Sequence, residues 1–248
     1  MHISLAAETL FHIGSVPITN SFLTSMIATL ILIVLGILVG LKYQKLPSGL
    51  QHFFEMAYES FDDLSVNIIG EKGRKYTPIV VTFFLYIIFS NWLSLLPGVG
   101  SIGFNMVEHG EELFVPLFRG GNADLNTTLA LALVSVFAAH YYGIKASGVL
   151  GHLKHFTNPL EIVGEFSKIL SFGFRLFGNI FAGEVLLLAG ASIFVLITGR
   201  SDAFYGLPGG LVQTPFLMLE IFVGFIQAFI FSVLTLSFLS IYVSDETH

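Results

Sequence analysis

Apolar residues along the chain fall into five uneven runs divided by short polar segments. Residues 22–41, 77–96 and 127–144 each approach the ~20 residues that carry a helix across roughly 30 Å of hydrocarbon, and predict single spans. The last two runs are too long for that. Residues 159–199 hold no turn cluster and, after Pro159, no proline, so they read as one helix of roughly 60 Å at about 1.5 Å per residue. A helix of that length must lie strongly oblique to a bilayer. After "GRSDAFYGLPGG" a second long helix is predicted over 211–243, with Pro215 tolerated in its first turns. Between the first two spans the pattern changes. In residues 49–70, Phe53, Phe54, Ala57, Tyr58, Phe61, Leu64 and Ile68 recur at helical spacing opposite Glu55, Glu59, Asp62 and Asp63, which predicts an amphipathic helix on the membrane interface. The expected fold class is an all-α polytopic membrane protein: about five membrane helices, one interfacial helix, and a long, strongly tilted antiparallel hairpin made by the last two. We read 1–248 as a single membrane domain, with an outer N-terminal segment 1–21, peripheral helices over 22–158 and the hairpin over 159–243.

Composition sharpens this picture. Of 248 residues 54% are hydrophobic and only 11% charged, too few charges to clothe a water-soluble globule of this length. Cysteine is absent, which excludes disulfides and thiol chemistry. The net charge of -6 is spread over loops and a few positions inside apolar runs, so nothing points to nucleic acid. The N-terminus has no basic region ahead of its first apolar run and carries Glu8, as expected of a retained segment rather than a cleaved signal. Orientation follows from basic residues in short loops. Lys42, Lys45, Lys72, Arg74 and Lys75 lie between spans one and two, and Lys145 and Lys154 between spans three and four. The second-to-third loop instead holds Glu108, Glu111, Glu112 and Asp124 against Arg119. The N-terminus is therefore expected outside and the C-terminus in the cytoplasm.

Two motifs are set aside. "GVGSIG", residues 98–103, matches G-x-G-x-x-G but follows a membrane span and a proline rather than a strand. His152 and His155 in "HLKH" have metal-ligand spacing but no third ligand nearby, and read as interfacial histidines. No zinc-protease, nucleophile-elbow or phosphate-loop motif occurs, so no cofactor, metal or enzymatic chemistry of its own is expected.

The candidate chemistry lies in the hairpin. Glu161, Glu165, Lys168, Arg175 and Glu184 stand on its first helix and Glu220 on its second, with Asn179 and Gln227 as polar companions. A charge inside the hydrocarbon costs at least a few kcal/mol, so such residues usually line an ion path or pair with a partner. Helix-to-helix glue alone would normally use Ser, Thr, Asn or Gln. Glu161, Lys168 and Arg175 are seven apart, nearly two turns, and share a face at successive depths. Glu184 lies nine residues past Arg175, about half a turn out of phase, and points away from it. Glu220 and Gln227 again share a face. In an antiparallel hairpin Glu184 and Glu220 belong to one side of the membrane, and Glu161, Glu165 and Lys168 to the other, with Arg175 between. Arginine suits that station because it stays protonated and its fork can hold or displace a carboxylate. A secondary transporter, which usually shows two related halves, and a purely structural scaffold are the competing classes.

"FRLFGNIFAGE" with Arg175, Asn179 and Glu184, "LEIFVGFIQAFIFSVLTLSFLS" with Glu220 and Gln227, and "ADLNTTLALAL" at 123–133 together closely resemble subunit a of the bacterial F-type ATP synthase. The resemblance runs from the first span to the end of the chain. It implies a non-catalytic, proton-translocating stator of the F0 sector in the bacterial inner membrane. Its partners would be a rotating ring of c subunits, hugged by the tilted hairpin, the b-subunit peripheral stalk, the remaining subunits and the lipid bilayer. Arg175 corresponds to the family's essential arginine, which drives the proton off the ring. The outer half-channel carries over onto Asn179, Glu184, Glu220 and Gln227, and the cytoplasmic half-channel onto Glu161, Glu165, Lys168 and Ser171. Several members have histidine where this chain has Glu220, which makes Glu184 and Glu220 a coupled acid pair here.

Overall fold

A computed structural model describes residues 7–47, 49–108, 111–154, 159–198 and 207–243. A short antiparallel hairpin, β1 (Thr9–Ile13) and β2 (Val16–Thr19), precedes α1 (Asn20–Leu41). Thr19 caps α1 by accepting the Phe22 backbone N–H at 3.2 Å. Then come α2 (Leu50–Ile69), a 3₁₀ turn (Glu71–Lys75) and α3 (Thr77–Ser94). Strand β3 (Pro97–Gly100), the antiparallel pair β4 (Gly103–Glu108) and β5 (Glu111–Pro116), and a 3₁₀ turn (Gly121–Ala123) lead to α4 (Leu125–Lys154). The last two helices are α5 (Pro159–Thr198) and α6 (Leu207–Val243).

Five helices, α1, α3, α4, α5 and α6, are long and apolar enough to cross a membrane. The run over 159–199 is one unbroken helix, as its lack of a turn predicts, and Pro215 is accommodated inside α6. The small strand hairpins are additions the hydropathy pattern does not announce. They gather at one end of the bundle, called here the strand end, where the Asn20 side-chain amide donates to the Pro116 carbonyl at 3.1 Å. The connection α2–3₁₀–α3 marks the opposite end.

α6 is the central element, packed against α2, α3, α4 and α5. Its buried Phe231, Leu236 and Leu239 join Val80, Ile87 and Ile88 of α3 and Phe172, Leu176 and Ile180 of α5 in one apolar core. Close approach depends on small residues, as usual between membrane helices. A side chain at Gly173 would meet Leu129 Cδ2 at 2.5 Å, and one at Gly190 the Phe216 ring at 2.9 Å. α1 buries only the residues of its first turns and exposes Leu30, Ile33, Val34 and Ile37, the pattern of a helix that faces lipid.

α2 is amphipathic as expected, but the stripe it buries is Ala57, Phe61 and Ser65, while Tyr58 and Ile68 stand exposed. Phe61 packs on Phe84 of α3 and Phe229 of α6. Asp62 is turned inward, bonding Arg74 and accepting the Thr77 hydroxyl at 3.0 Å. Beside Glu71 and Asp62 the Arg74 guanidinium is held above its ordinary pKa, by the Glu71 hydrogen bond first and by both negative charges. In α4 the helical course breaks at Gly148, whose φ of 73° lies in the left-handed region open to glycine.

Candidate functional site

Of the sequence-predicted residues, Lys168, Ser171, Arg175, Asn179 and Glu220 line two separate pockets along the α5–α6 seam, whereas Glu161, Glu165, Glu184 and Gln227 line neither. One, of about 270 Å³, lies toward the α2 end and is lined by Lys168, Ser171, Arg175 and Phe238 among others. The other, of about 240 Å³ toward the strand end, is lined by Asn179, Gly183, Phe216 and Glu220 among others. They share no residue. Along α6 they occupy 234–238 and 216–223, and between these stretches Gln227, Ala228, Phe231 and Ser232 are buried. On α5 the dividing residue is Leu176, fully buried. This buried plug, apolar at Leu176, Ala228 and Phe231 and polar at Gln227 and Ser232, divides the two pockets.

At the plug the Asn179 amide donates to Gln227 Oε1 at 2.5 Å, tying α5 to α6. One turn away Arg175 is exposed, and among the described residues its guanidinium bonds only the Ser171 hydroxyl, at 3.3 Å. The i,i+4 spacing of Ser171 and Arg175 produces this contact directly. The helix therefore presents an arginine whose charge no acid of the described chain neutralises.

Toward the strand end lie two carboxyls turned to different neighbours. Glu220 is buried, and its Oε1 lies against Gly183 so closely that a Cβ there would meet it at 2.6 Å. Its Oε2 has no hydrogen-bond partner among the described residues. Glu184, next to that glycine, reaches the other way: its Oε1 lies 3.1 Å from where a Cβ on Gly120 would stand, in the segment that also holds the buried Arg119. A polar seam continues from here, the Asn122 amide donating to Asn91 Oδ1 at 2.7 Å and the Asn91 amide to the Gly224 carbonyl at 3.0 Å.

Toward the α2 end Glu165 is a hub. Lys168 donates to its Oε1 at 2.5 Å, the Tyr242 hydroxyl donates to the same oxygen, and His140 Nε2 lies 3.3 Å from its Oε2. Lys168 also stacks its ammonium 4.8 Å from the centre of the Phe238 ring. Glu161, one turn earlier, is exposed and makes no side-chain bond among the described residues, so the structure separates it from Glu165.

A family model described as "ATP synthase A chain" matches residues 22–240, from α1 almost to the end of α6. The chain belongs to this family. It is similar to the ATP synthase subunit a of Desulforamulus reducens, 36% identical over 207 residues, 81% of this chain and 70% of the relative. The subunit a of Syntrophobacter fumaroxidans is 33% identical over 222 residues (86% and 79%), and that of Moorella thermoacetica 30% over 240 (94% and 95%). As a member of the ATP synthase A chain family, the protein is a multi-pass membrane subunit of that complex, in accord with its five long apolar helices.

Sequence reasoning missed several polar residues of this A chain. His140, Tyr242, Asn91, Asn122 and Arg119 all touch or approach the predicted site. His152, read as an interfacial histidine, is instead buried against His140 and Tyr242, while His155 lies outside the described residues. The signal available for most of them was a polar residue inside an apolar run.

Proposed function

We propose that this chain is the proton-conducting stator of a bacterial F-type ATP synthase, with two offset half-channels and an arginine that separates them. The observation that carries the reading is the exposed Arg175 at the inner end of one of two pockets that share no residue. With the N-terminus outside, as the basic loops suggest, the strand end is the outer end and the α2 end is cytoplasmic. A proton enters past Glu184 and the pocket lined by Asn179 and Glu220, with Gln227 bonded to Asn179, and neutralises a carboxylate on a neighbouring c subunit. Neutral, that carboxyl can turn into lipid, where its ionised form would be prohibitively costly. On its return it meets Arg175, whose permanent positive charge favours the ionised carboxylate and releases the proton toward Ser171, Lys168, Glu165 and Glu161.

Because the two pockets share no residue, a proton passes from one to the other only on the ring, and current and rotation are coupled. The cycling carboxylate belongs to the partner, so the chain supplies path and charge rather than catalysis. The exposed α5 face around Arg175 is where the ring would pass, and the lipid-facing α1 leaves flanks for the peripheral stalk and the bilayer.

The test uses the whole complex in membrane vesicles. Arg175→Ala should assemble with the c ring yet abolish ATP-driven proton pumping, and Arg175→Lys should fail as well, since an ammonium is a point charge that can lose its proton. Pumping at near-normal rates in Arg175→Ala would overturn the reading. Single cysteines at Asn179 and Glu220 should react with a membrane-impermeant silver or thiol reagent from outside only, and those at Glu161 and Lys168 from the cytoplasm only.

A further inference from the structure

The two ends of the Asn91 side-chain amide meet two different elements. Asn91 stands about one turn before the end of α3 and is 3% exposed, and its Nδ2 donates to the Gly224 carbonyl at 3.0 Å. Its Oδ1 accepts from the Asn122 amide at 2.7 Å. That second bond orients the first: with the oxygen committed to Asn122, the nitrogen is left to face α6. The next residue, Trp92, donates its indole N–H to the Ile221 carbonyl at 3.3 Å. Residues 221 and 224 are three apart and share one face of α6, in the turn that follows Glu220. Gly224 makes the approach possible, since a Cβ there would lie 3.2 Å from Asn91 Cβ. At the other end of the amide, Asn122 belongs to the turn whose neighbour Gly120 abuts Glu184 Oε1.

We propose that Asn91, seconded by Trp92, is a positioning residue for proton uptake: it ties the segment beside Glu184 to the α6 turn beneath Glu220 and so holds the two acids in fixed phase. The proposal rests on the half-channel reading and adds to it the residues of α3 that set the outer site. At this level α6 is otherwise packed through apolar rings, Phe216 against Gly190 and Phe225 against Phe84, and apolar contact has no direction. Hydrogen bonds do have one, and weaken steeply off line. Each residue of α6 turns through about 100°, so a slip of a fraction of a turn carries the Glu220 carboxyl off Gly183. A helix carbonyl has a second lone pair beyond its backbone bond, so the grip costs α6 none of its own ladder.

A tie between helices would be served by one bond. Here two adjacent residues of α3 take two carbonyls on the face that carries Glu220, and the same amide continues to the segment against Glu184. The charged group that acts on Glu220 is Glu184 of α5, which in turn feels Arg119. Asp124, in the segment that holds Arg119, is bonded to Asn126. α3 brings Asn91 and Trp92, neither of which titrates.

The experiment measures proton conduction through the assembled membrane sector in vesicles while the pH on each side is varied in turn. Asn91→Ala should require about tenfold more outer protons for half-maximal conduction, the effect of one buried hydrogen bond, and leave the dependence on cytoplasmic pH unchanged. Trp92→Phe keeps an aromatic ring and loses the N–H, and should move the outer profile the same way by about threefold. In a Glu220→Gln background Asn91→Ala should add no further shift, because it acts through that carboxyl. A helix tie with no part in positioning would lower the yield of assembled complex, or the rate at every pH alike, and move neither profile. Outer profiles unmoved in both Asn91→Ala and Trp92→Phe would overturn the proposal, as would full additivity with Glu220→Gln. If Asn91→Ala does not assemble, Trp92→Phe decides the question. The half-channel reading stands or falls separately, on Arg175→Ala in the same vesicles.

Discussion

Glu220 and Glu165 sit on the two helices of one hairpin, yet their surroundings are opposites. Glu165 is bonded on both oxygens by groups from three helices, an ammonium, a phenol and an imidazole. Glu220 is the more deeply buried, lies flat against a glycine, and keeps one oxygen without a partner among the described residues. The first arrangement ties three helices together through one carboxylate. The second leaves one carboxyl oxygen without a fixed partner among the described residues. The difference between the two acids lies in their neighbours rather than in the residue type.

The sharpest way to break this contrast is to remove the anchored acid. Glu165→Ala strands the Lys168 ammonium in a largely covered site and should destabilise the detergent-solubilised subunit by roughly 2–3 kcal/mol, the low end for a broken buried pair because both side chains keep some exposure. Thermal unfolding of the variant beside wild type measures it. Next in size is Gly183→Val at the other site, where branches would be driven into the Glu220 carboxyl. Overpacking of this kind costs about 1–3 kcal/mol, and proton uptake from the strand end should fall with it in a flux assay.

Glu220→Gln should then move stability by less than ~1 kcal/mol, since the residue has few fixed bonds to lose, while slowing proton conduction markedly. A stability loss as large as that of Glu165→Ala would erase the distinction between the two acids. A control remote from both comes last: Ser135→Ala removes the 2.8 Å bond to Thr235 between α4 and α6, and should cost about 1 kcal/mol of stability while leaving conduction unchanged.

Helix positions were largely legible because spanning runs are long and their hydropathy is unambiguous. Local phase along one helix accounts for the contact of Arg175 with Ser171, which follows from a period of 3.6. Contacts between helices were not legible. Tyr242 reaches Glu165 across 77 residues of sequence, and only the register of α6 against α5 brings them together. His152 was misjudged because hydropathy cannot show that Gly148 reverses the chain and carries the end of α4 back into the bundle. The strand hairpins escaped for a different reason. Their segments are short, and β-propensity in so few residues is weaker than the surrounding helical signal.

The central position of α6 has a consequence for how the subunit is made. Synthesis runs from the N-terminus, so α2 to α5 are made before the helix against which they pack exists. Until α6 arrives, Asn179 lacks Gln227, Asn91 lacks the Gly224 carbonyl and Glu165 lacks Tyr242. The last helix therefore supplies in one step the partners that polar groups on α3 and α5 lack until then.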